Sequence, residues 1–305
     1  MRNGVVSWAK CRGIISLVSL VFTLICVSGT AMLPETFAAD QSATTPQLQG
    51  KIVFQSDRDG DWEIFAMNAD QTNLVQLTHN RLADEYPVWS PDGTQIAFKS
   101  ARDGNYELYV MQADGTAQRQ VTNHPAQDED PAWSPDGRTL LFHSDRSGTQ
   151  QLYTINLDGS RLQQLTETAG RNALAVWNPQ EERIAFTGKR AHLGWGIYVM
   201  QVDGTEMHRL TGNIGACRPD WSPDGRQIAY VSEQDSQKTD IWIMNPDGSE
   251  KRKLTRDEAN YDYYPAWSPD GTSLVYAKTS DKTQGNWELY AIAADGTGQV
   301  RFTID

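Results

Sequence analysis

The sequence predicts an all-β protein, a six-bladed β-propeller of four-stranded antiparallel blades. Three markers recur in one register along the chain, which indicates an internal repeat. Trp89, Trp133, Trp177 and Trp221 are 44 residues apart, and Trp267 follows 46 residues later. An apolar residue followed by threonine, as in Leu77-Thr78, and a turn such as Asp114-Gly115 recur in the same register, at spacings of 44 to 48 residues.

Each repeat reads as four short strands, which we name A to D. In "NYELYVM" (105–111), Tyr106, Leu108 and Val110 alternate with Glu107, Tyr109 and Met111. Alternation with a period of two is typical of a strand, and no long segment shows the helical period. We therefore expect no helix within the repeats.

Turn residues separate the strands. Strand A ends at the tryptophan, and "SPDG" leads into strand B, "QIAF"; the "SARDGN" region connects B to C, and "ADGT" connects C to D. Pro91 presets φ, Asp92 can bond the local backbone, and Gly93 accepts a positive φ. "WSPDG" is thus predicted to form a hairpin turn, and the copy at 177–181, "WNPQE", lacks Asp-Gly but keeps the spacing.

A four-stranded unit cannot bury both of its faces alone, whereas radial stacking covers them. Six strand-D markers predict six blades. Blade one begins at "KIVFQS" (51–56), which corresponds to strand B, and no tryptophan precedes it. Either "TTPQLQ" (44–49) supplies a poor inner strand, or blade one has three strands.

The N-terminal region has a different composition. Arg2, Lys10 and Arg12 precede the apolar run 13–33, and small residues follow at 38–39. This pattern predicts a secretory signal at 1–39, although an uncleaved anchor remains an alternative. A short leader (40–50) and the propeller (51–305) then lie outside the cytoplasm, in the periplasm or secreted.

Charge and cysteine content limit the classes of function. The formal net charge is −12 and no basic stripe is present, which argues against binding nucleic acid or anionic lipid. Cys217 is the single cysteine after residue 39, so we expect a core or loop residue rather than a nucleophile.

The unit "PVWSPDGTQIAFKSARDGNYELYVMQADGT" (87–116) resembles the propeller repeat of TolB, a component of the Tol–Pal envelope system. The resemblance covers about 51–305. It implies a protein-binding scaffold, with a peptidoglycan-associated lipoprotein-like protein as one candidate partner. The α/β domain that precedes the TolB propeller has no counterpart here, and the Gly-x-Ser-x-Gly motif of related peptidases is absent.

The D→A and B→C connections are predicted at one end of the blades, the entrance end, and the two tight turns at the other, the turn end. Long loops favour a binding site at the entrance end. The D→A loops and the positions before each tryptophan supply the candidate binding residues: Asp84, Glu85, Asp128, Glu129, Arg171, Asn172, Arg218, Tyr261 and Asp262. As loop residues, Asp84 and Asp128 would be expected to accept charge reversal without loss of folding.

No metal or cofactor site is predicted. "SDRDGDWE" (56–63) has aspartates at alternate positions, but its glycine and glutamate are misplaced for an EF-hand, so it reads as a B→C turn. The histidines are scattered without metal-ligand spacing.

We therefore expect a non-enzymatic, monomeric propeller that binds a protein or peptide in the cell envelope, with no catalytic residues. The alternative is a cation-assisted lyase or hydrolase acting at an acidic channel mouth; a structural module in a larger envelope assembly is a third hypothesis. No nucleophile and no base with an orienting partner is visible in the sequence to support catalysis.

Overall fold

The computed structural model describes residues 50–235, 238–281 and 287–301, together with the backbone of Val21–Thr23. Across these residues the regular structure consists of 24 β-strands in six four-stranded antiparallel sheets. None of the described segments forms a helix long and apolar enough to cross a membrane.

The strands follow one another blade by blade. Blade one comprises β1 (Val21–Thr23), β2 (Lys51–Ser56), β3 (Glu63–Asn68) and β4 (Val75–Gln76). Blade two comprises β5 (Asp84–Trp89), β6 (Gln95–Ser100), β7 (Glu107–Gln112) and β8 (Arg119–Gln120). Blade three comprises β9 (Asp128–Trp133), β10 (Thr139–Ser144), β11 (Gln151–Asn156) and β12 (Gln163–Gln164).

The second half repeats this order. Blade four comprises β13 (Arg171–Trp177), β14 (Arg183–Arg190), β15 (Gly194–Gln201) and β16 (His208–Arg209). Blade five comprises β17 (Ala216–Trp221), β18 (Ile228–Ser232), β19 (Asp240–Met244) and β20 (Arg252–Lys253). Blade six comprises β21 (Tyr261–Trp267), β22 (Ser273–Thr279), β23 (Glu288–Ala293) and β24 (Val300–Arg301). The predicted six-bladed propeller is confirmed.

The turn after strand A explains the repeated "SPDG". In blade two, Ser90 Oγ donates to Asp92 Oδ1 at 2.6 Å and accepts from the Gln95 amide at 2.9 Å, while Gly93 has φ +67°. In blade four, Asn178 Oδ1 instead accepts from the amides of Gln180 and Glu181 at 2.8 and 3.0 Å. The turn of blade four, which lacks Asp-Gly, is therefore formed with the side-chain amide of Asn178.

The threonine marker also has a physical role. Thr78 Oγ1 accepts a hydrogen bond from the Ile64 amide at 2.8 Å, and Thr122 does the same for Leu108 at 2.9 Å. Strand D is only two residues long in each blade. The threonine hydroxyl therefore adds a hydrogen bond between the end of strand D and strand C, beyond those of the backbone ladder.

The core lies between neighbouring blades. Ala97, Leu108 and Val110 of blade two pack against Trp133 and Phe142 of blade three in one buried cluster. The blades thus cover each other's faces, as the stacking argument requires. Cys217 lies in such a cluster with 2 % of its surface exposed, which confirms it as a core residue.

Blade one obtains its inner strand from a distant part of the chain. The backbone of Val21–Thr23 pairs antiparallel with residues 51–53 of β2. Residues 44–49, one of the two alternatives for this position, lie outside the described residues. Since Val21–Thr23 falls within the predicted signal, removal of residues 1–39 would separate β1 from its blade; that cleavage stays a prediction.

Candidate functional site

A cavity of about 460 Å³ lies on the axis of the propeller, among the inner strands of blades two to six. Its walls come from the same few positions in each blade. Two positions form successive rings along the axis. The mouth ring consists of Tyr86, Asp130, Leu174, Arg218 and Tyr264; the inner ring consists of Val88, Ala132, Val176, Asp220 and Ala266. Below them lie the tryptophans that end each strand A and several prolines of the turns.

Every mouth-ring residue has a left-handed backbone. Their φ values are +55° for Tyr86, +54° for Asp130, +53° for Leu174, +57° for Arg218 and +57° for Tyr264. Such conformations are uncommon for residues other than glycine and are costly enough to require a reason. The same strain recurs in the inner strand of each of these blades.

The strain belongs to a β-bulge in strand A. In blade two the pairing of Glu85 with Lys99 is followed by that of Val88 with Ala97, so two residues of β5 oppose one residue of β6. A proline follows the strained residue in four of these blades, where the bulge leaves no ladder hydrogen bond to make. The bulge turns the mouth-ring side chains toward the axis.

Aromatic and basic groups meet on one side of the mouth ring. The guanidinium carbon of Arg218 lies 3.8 Å from the centre of the Tyr264 ring, and Arg218 Nη2 donates to Tyr86 Oη at 3.3 Å. Burial raises the pKa of Tyr264 well above its ordinary value, so its phenol stays neutral. Arg218 is thereby held in one orientation.

A buried ammonium group connects blades two and three beside the ring. Lys99 Nζ lies 2.7 Å from Glu129 Oε2 and 3.6 Å from Glu85 Oε2. It also lies 4.5 Å from the Tyr86 ring and 4.1 Å from the Tyr106 ring. Burial opposes its charge, but Glu129, Asp130 and Glu85 hold the pKa of Lys99 above its ordinary value.

Four of the predicted binding residues lie behind the channel wall. Asp84, Asp128, Asn172 and Asp262 are fully buried. Asp84 Oδ2 pairs with Arg102 Nη2 at 2.7 Å, and Asp128 Oδ2 with Arg146 Nη2 at 2.5 Å. In each case the arginine of the B→C loop stacks on two aromatic rings of its own blade and reaches the start of strand A.

The prediction that Asp84 and Asp128 are loop residues was therefore wrong, because they begin β5 and β9. Strict alternation from Val88 would place Asp84 on the channel face. The bulge inserts one residue and reverses that face, since strand side chains alternate with a period of two.

The other predicted residues are distributed around the mouth. Glu85 and Glu129 meet at Lys99, and Arg218 lines the channel. Arg171 and Tyr261 begin β13 and β21 and are partly exposed. Sequence reasoning missed Tyr86, Asp130, Leu174, Tyr264 and Asp220, although the recurrent X-Pro-x-Trp pattern marks four of the five mouth-ring positions.

The described residues bring together no group of three histidine, cysteine, aspartate or glutamate side chains that could hold a metal ion. The "SDRDGDWE" segment connects β2 to β3 as a B→C turn, with Gly60 donating to the Asp57 carbonyl at 2.9 Å. That interpretation of the segment is confirmed.

Comparison with solved structures shows the same architecture. A protein described as a TolB of Agrobacterium tumefaciens is 24 % identical with a TM-score of 0.69, over 78 % of this chain and 86 % of that one. The TolB of Acinetobacter baumannii is 22 % identical with a TM-score of 0.69, over 81 % of this chain and 62 % of that one. An oligogalacturonate lyase in complex with manganese is 19 % identical with a TM-score of 0.59, over 82 % and 73 %.

At these identities the structural neighbours establish the fold alone. No curated protein matches the sequence. The family model of the TolB beta propeller domain, in contrast, matches residues 83–238 and 197–305, which is more than half of the chain. The repeats, the six blades and this match agree, and the chain belongs to the TolB beta-propeller domain family.

Proposed function

We propose that the protein is a non-enzymatic scaffold that binds a protein or peptide segment at its entrance end and in its channel. The observation that carries the proposal is the mouth ring. The same strained backbone conformation presents five side chains of four chemical types to a single cavity.

The mouth ring combines one backbone geometry with varied side chains, which supports a role in recognition. The bulge itself could be formed with small residues, yet the ring carries two phenols, a carboxylate, an isobutyl group and a guanidinium group. Strain that is kept in the fold and aims varied side chains at a cavity is typical of binding sites. An extended chain segment could engage these groups together, whereas a flat partner could not reach them.

The predicted signal at residues 1–39 supports a site outside the cytoplasm, and we propose the periplasm. The resemblance to TolB supports an envelope protein as the partner, with a peptidoglycan-associated lipoprotein-like protein as the first to test. Domains of this size and architecture can act alone, and we propose a monomer.

A catalytic alternative comes from the structural similarity to an oligogalacturonate lyase in complex with manganese. Dialysis of the purified protein against a chelator, followed by elemental analysis, separates the two functions. A metal retained in stoichiometric amount would favour the enzyme.

The binding proposal is tested by reversing one charge at the mouth ring. Asp130→Lys keeps a backbone conformation that Leu174 and Arg218 already adopt at the equivalent positions, and its unfolding midpoint checks that it folds although Asp130 lies near the buried Lys99. The matched control is Asp114→Lys in an exposed turn at the other end. We expect Asp130→Lys to lose the protein that the wild type captures from envelope extract, and Asp114→Lys to retain it. Equal capture by both variants would exclude the mouth ring as the binding site.

A further inference from the structure

The inner ring of the channel contains one carboxylate among apolar side chains. Val88, Ala132, Val176 and Ala266 occupy the position before the tryptophan in blades two, three, four and six. Blade five has Asp220 there. Its carboxyl group lies among aliphatic groups, proline rings and indoles, while the charged and phenolic groups of the cavity lie in the mouth ring.

Asp220 differs from the paired acids of the entrance end. Asp84, Asp128 and Asp240 form ion pairs with Arg102, Arg146 and Lys253 at 2.5–2.8 Å. The Asp220 carboxylate accepts hydrogen bonds from the backbone amides of Trp267, at 2.9 Å from Oδ2, and of Trp221, and no lysine, arginine or histidine among the described residues forms an ion pair with it. Part of its surface remains open to the cavity.

Glu107, a buried acid of blade two, also has no ion pair among the described residues, and its carboxylate also accepts hydrogen bonds. Glu107 accepts from Thr122 Oγ1 at 2.6 Å and from the His124 amide at 2.7 Å. Glu107 does not line the channel. Asp220 combines a carboxylate without an ion pair with access to a cavity.

We propose that Asp220 binds a primary alkylammonium group, such as the end of a lysine side chain, whose apolar stem lies along the walls of the channel. The inference deepens the proposed function, on which it rests for the source of that group, a segment of the bound partner. The cavity volume of about 460 Å³ suits a small ligand, since such sites commonly measure about 300–1,000 Å³.

The chemistry of the walls favours this ligand class. A carboxylate near apolar groups is poorly solvated, and an ammonium group at hydrogen-bond distance replaces the lost water with a charge-assisted hydrogen bond. The methylene stem of a lysine covers apolar surface while its charged end reaches a polar partner. An anion or a neutral alkyl chain would leave the carboxylate uncompensated.

The other titratable groups around the channel lie in the mouth ring. They are Arg218 on β17, Tyr86 on β5, Asp130 on β9 and Tyr264 on β21, while β13 contributes the neutral Leu174. His143 contacts Asp130 at 3.5 Å. Asp220 is the one titratable member of the inner ring, so a proton that is lost on binding there should come from its carboxyl group.

Burial raises the pKa of Asp220 to about 7. Only the ionised form attracts a cation, so binding should strengthen as the pH rises through this value. Between pH 5.5 and pH 8.5 the dissociation constant should fall by about tenfold or more, while an alkylammonium ion keeps its charge.

The test titrates the full protein with n-butylammonium chloride and follows the Trp267 amide and the channel indoles by nuclear magnetic resonance. 1-Butanol serves as the neutral probe of equal size, and n-butylguanidinium distinguishes a guanidinium from an ammonium preference. We expect butylammonium to bind more tightly than both. Equal binding of 1-butanol would overturn the proposal.

Asp220→Asn keeps the side chain's size and an oxygen that can accept from Trp267. It should fold, bind butylammonium roughly tenfold more weakly at pH 8.5 and lose the pH dependence. Asp224→Asn removes an exposed acid of the same blade and should bind like the wild type.

Two results would reject the inner-ring subsite. One is unchanged butylammonium binding in Asp220→Asn. The other is a loss of butylammonium binding in Asp130→Asn but not in Asp220→Asn, which would place the cation site in the mouth ring. If Asp220 binds the amine but Asp130→Lys captures the same envelope proteins as the wild type, the subsite stands and the proposed function fails.

Discussion

Aspartates occupy both ends of the propeller, but in opposite physical states. Asp84 and Asp128 at the entrance end are fully buried and ion-paired with arginines. Asp114 and Asp158 at the turn end are exposed, and each accepts from the amide and hydroxyl of the residue two positions later, Thr116 or Ser160. Burial raises the pKa of Asp84, whereas hydrogen bonds lower the pKa of Asp114. Aspartates at two positions of one repeat therefore have different roles. At the entrance end they form buried ion pairs, and at the turn end they stabilise the local turn.

The largest expected effect comes from reversing the buried charges. Asp84→Lys combined with Asp128→Lys places a buried ammonium beside Arg102 and another beside Arg146. Breaking a buried ion pair costs roughly 3–5 kcal/mol, and each site should lose at least that much. Urea denaturation should show a protein that is largely unfolded before denaturant is added.

The control for that experiment is Asp114→Lys combined with Asp158→Lys. It changes the net charge equally at exposed positions, and its unfolding midpoint should stay close to that of the wild type. Equal midpoints for the two double variants would contradict the contrast between the two ends.

Trp133 lies where strand A meets the turn end, and its loss should rank second. The residue is 8 % exposed, and its Nε1 donates to the Val88 carbonyl of blade two at 3.1 Å. Trp133→Ala should lower the free energy of unfolding by about 3–5 kcal/mol, the range for a buried aromatic residue. Trp177→Ala in blade four should cost less, because that ring is more exposed. A loss under about 1 kcal/mol for Trp133→Ala would contradict its role in joining the blades.

The sequence predicted the fold well because the turn end is built from local chemistry. The side chains of Ser90 and Asp92 in "SPDG" form their hydrogen bonds within residues 90–95, so these neighbouring residues determine the geometry of the turn. The entrance end was harder to predict. The environment of Asp84 depends on Arg102, eighteen residues away, and on a bulge that reverses the face of strand A. The sequence indicated an acidic channel mouth. In the fold, most of those acids lie behind the channel wall, where they pair with residues distant in the sequence.

Glycine substitutions sharpen the description of the turn end. Gly137 and Gly225 have nearly the same φ, +70° and +69°. A Cβ at Gly137 would meet only Pro91 Cδ at 3.8 Å, whereas one at Gly225 would lie 2.6 Å from Asn178 Oδ1. Gly137→Ala should therefore cost about 1 kcal/mol from backbone strain. Gly225→Ala should cost more, because it also displaces the side chain that forms the blade-four turn. Thermal unfolding of both variants measures the difference, and a higher midpoint for Gly137→Ala would contradict the turn assignment.

A pH-dependent effect is expected at the junctions between blades. Glu63, at the start of β3, lies near Asp84 of the next blade, and burial raises its pKa from 4.5 to about 7. Between these two values the folded protein holds a proton that the unfolded chain has released, so stability should fall as the pH rises from 5 to 8.

Blade three has a neutral version of this junction: Gln151 Oε1 accepts from Thr166 Oγ1 and from Asn172 Nδ2, both at 2.8 Å. Glu63→Gln copies that junction, and it should fold normally and show a weaker decline over this pH range. Denaturation midpoints at pH 5, 6.5 and 8 measure the slope; an unchanged slope in Glu63→Gln would show that Glu63 releases its proton near its ordinary pKa, as an exposed carboxylate does.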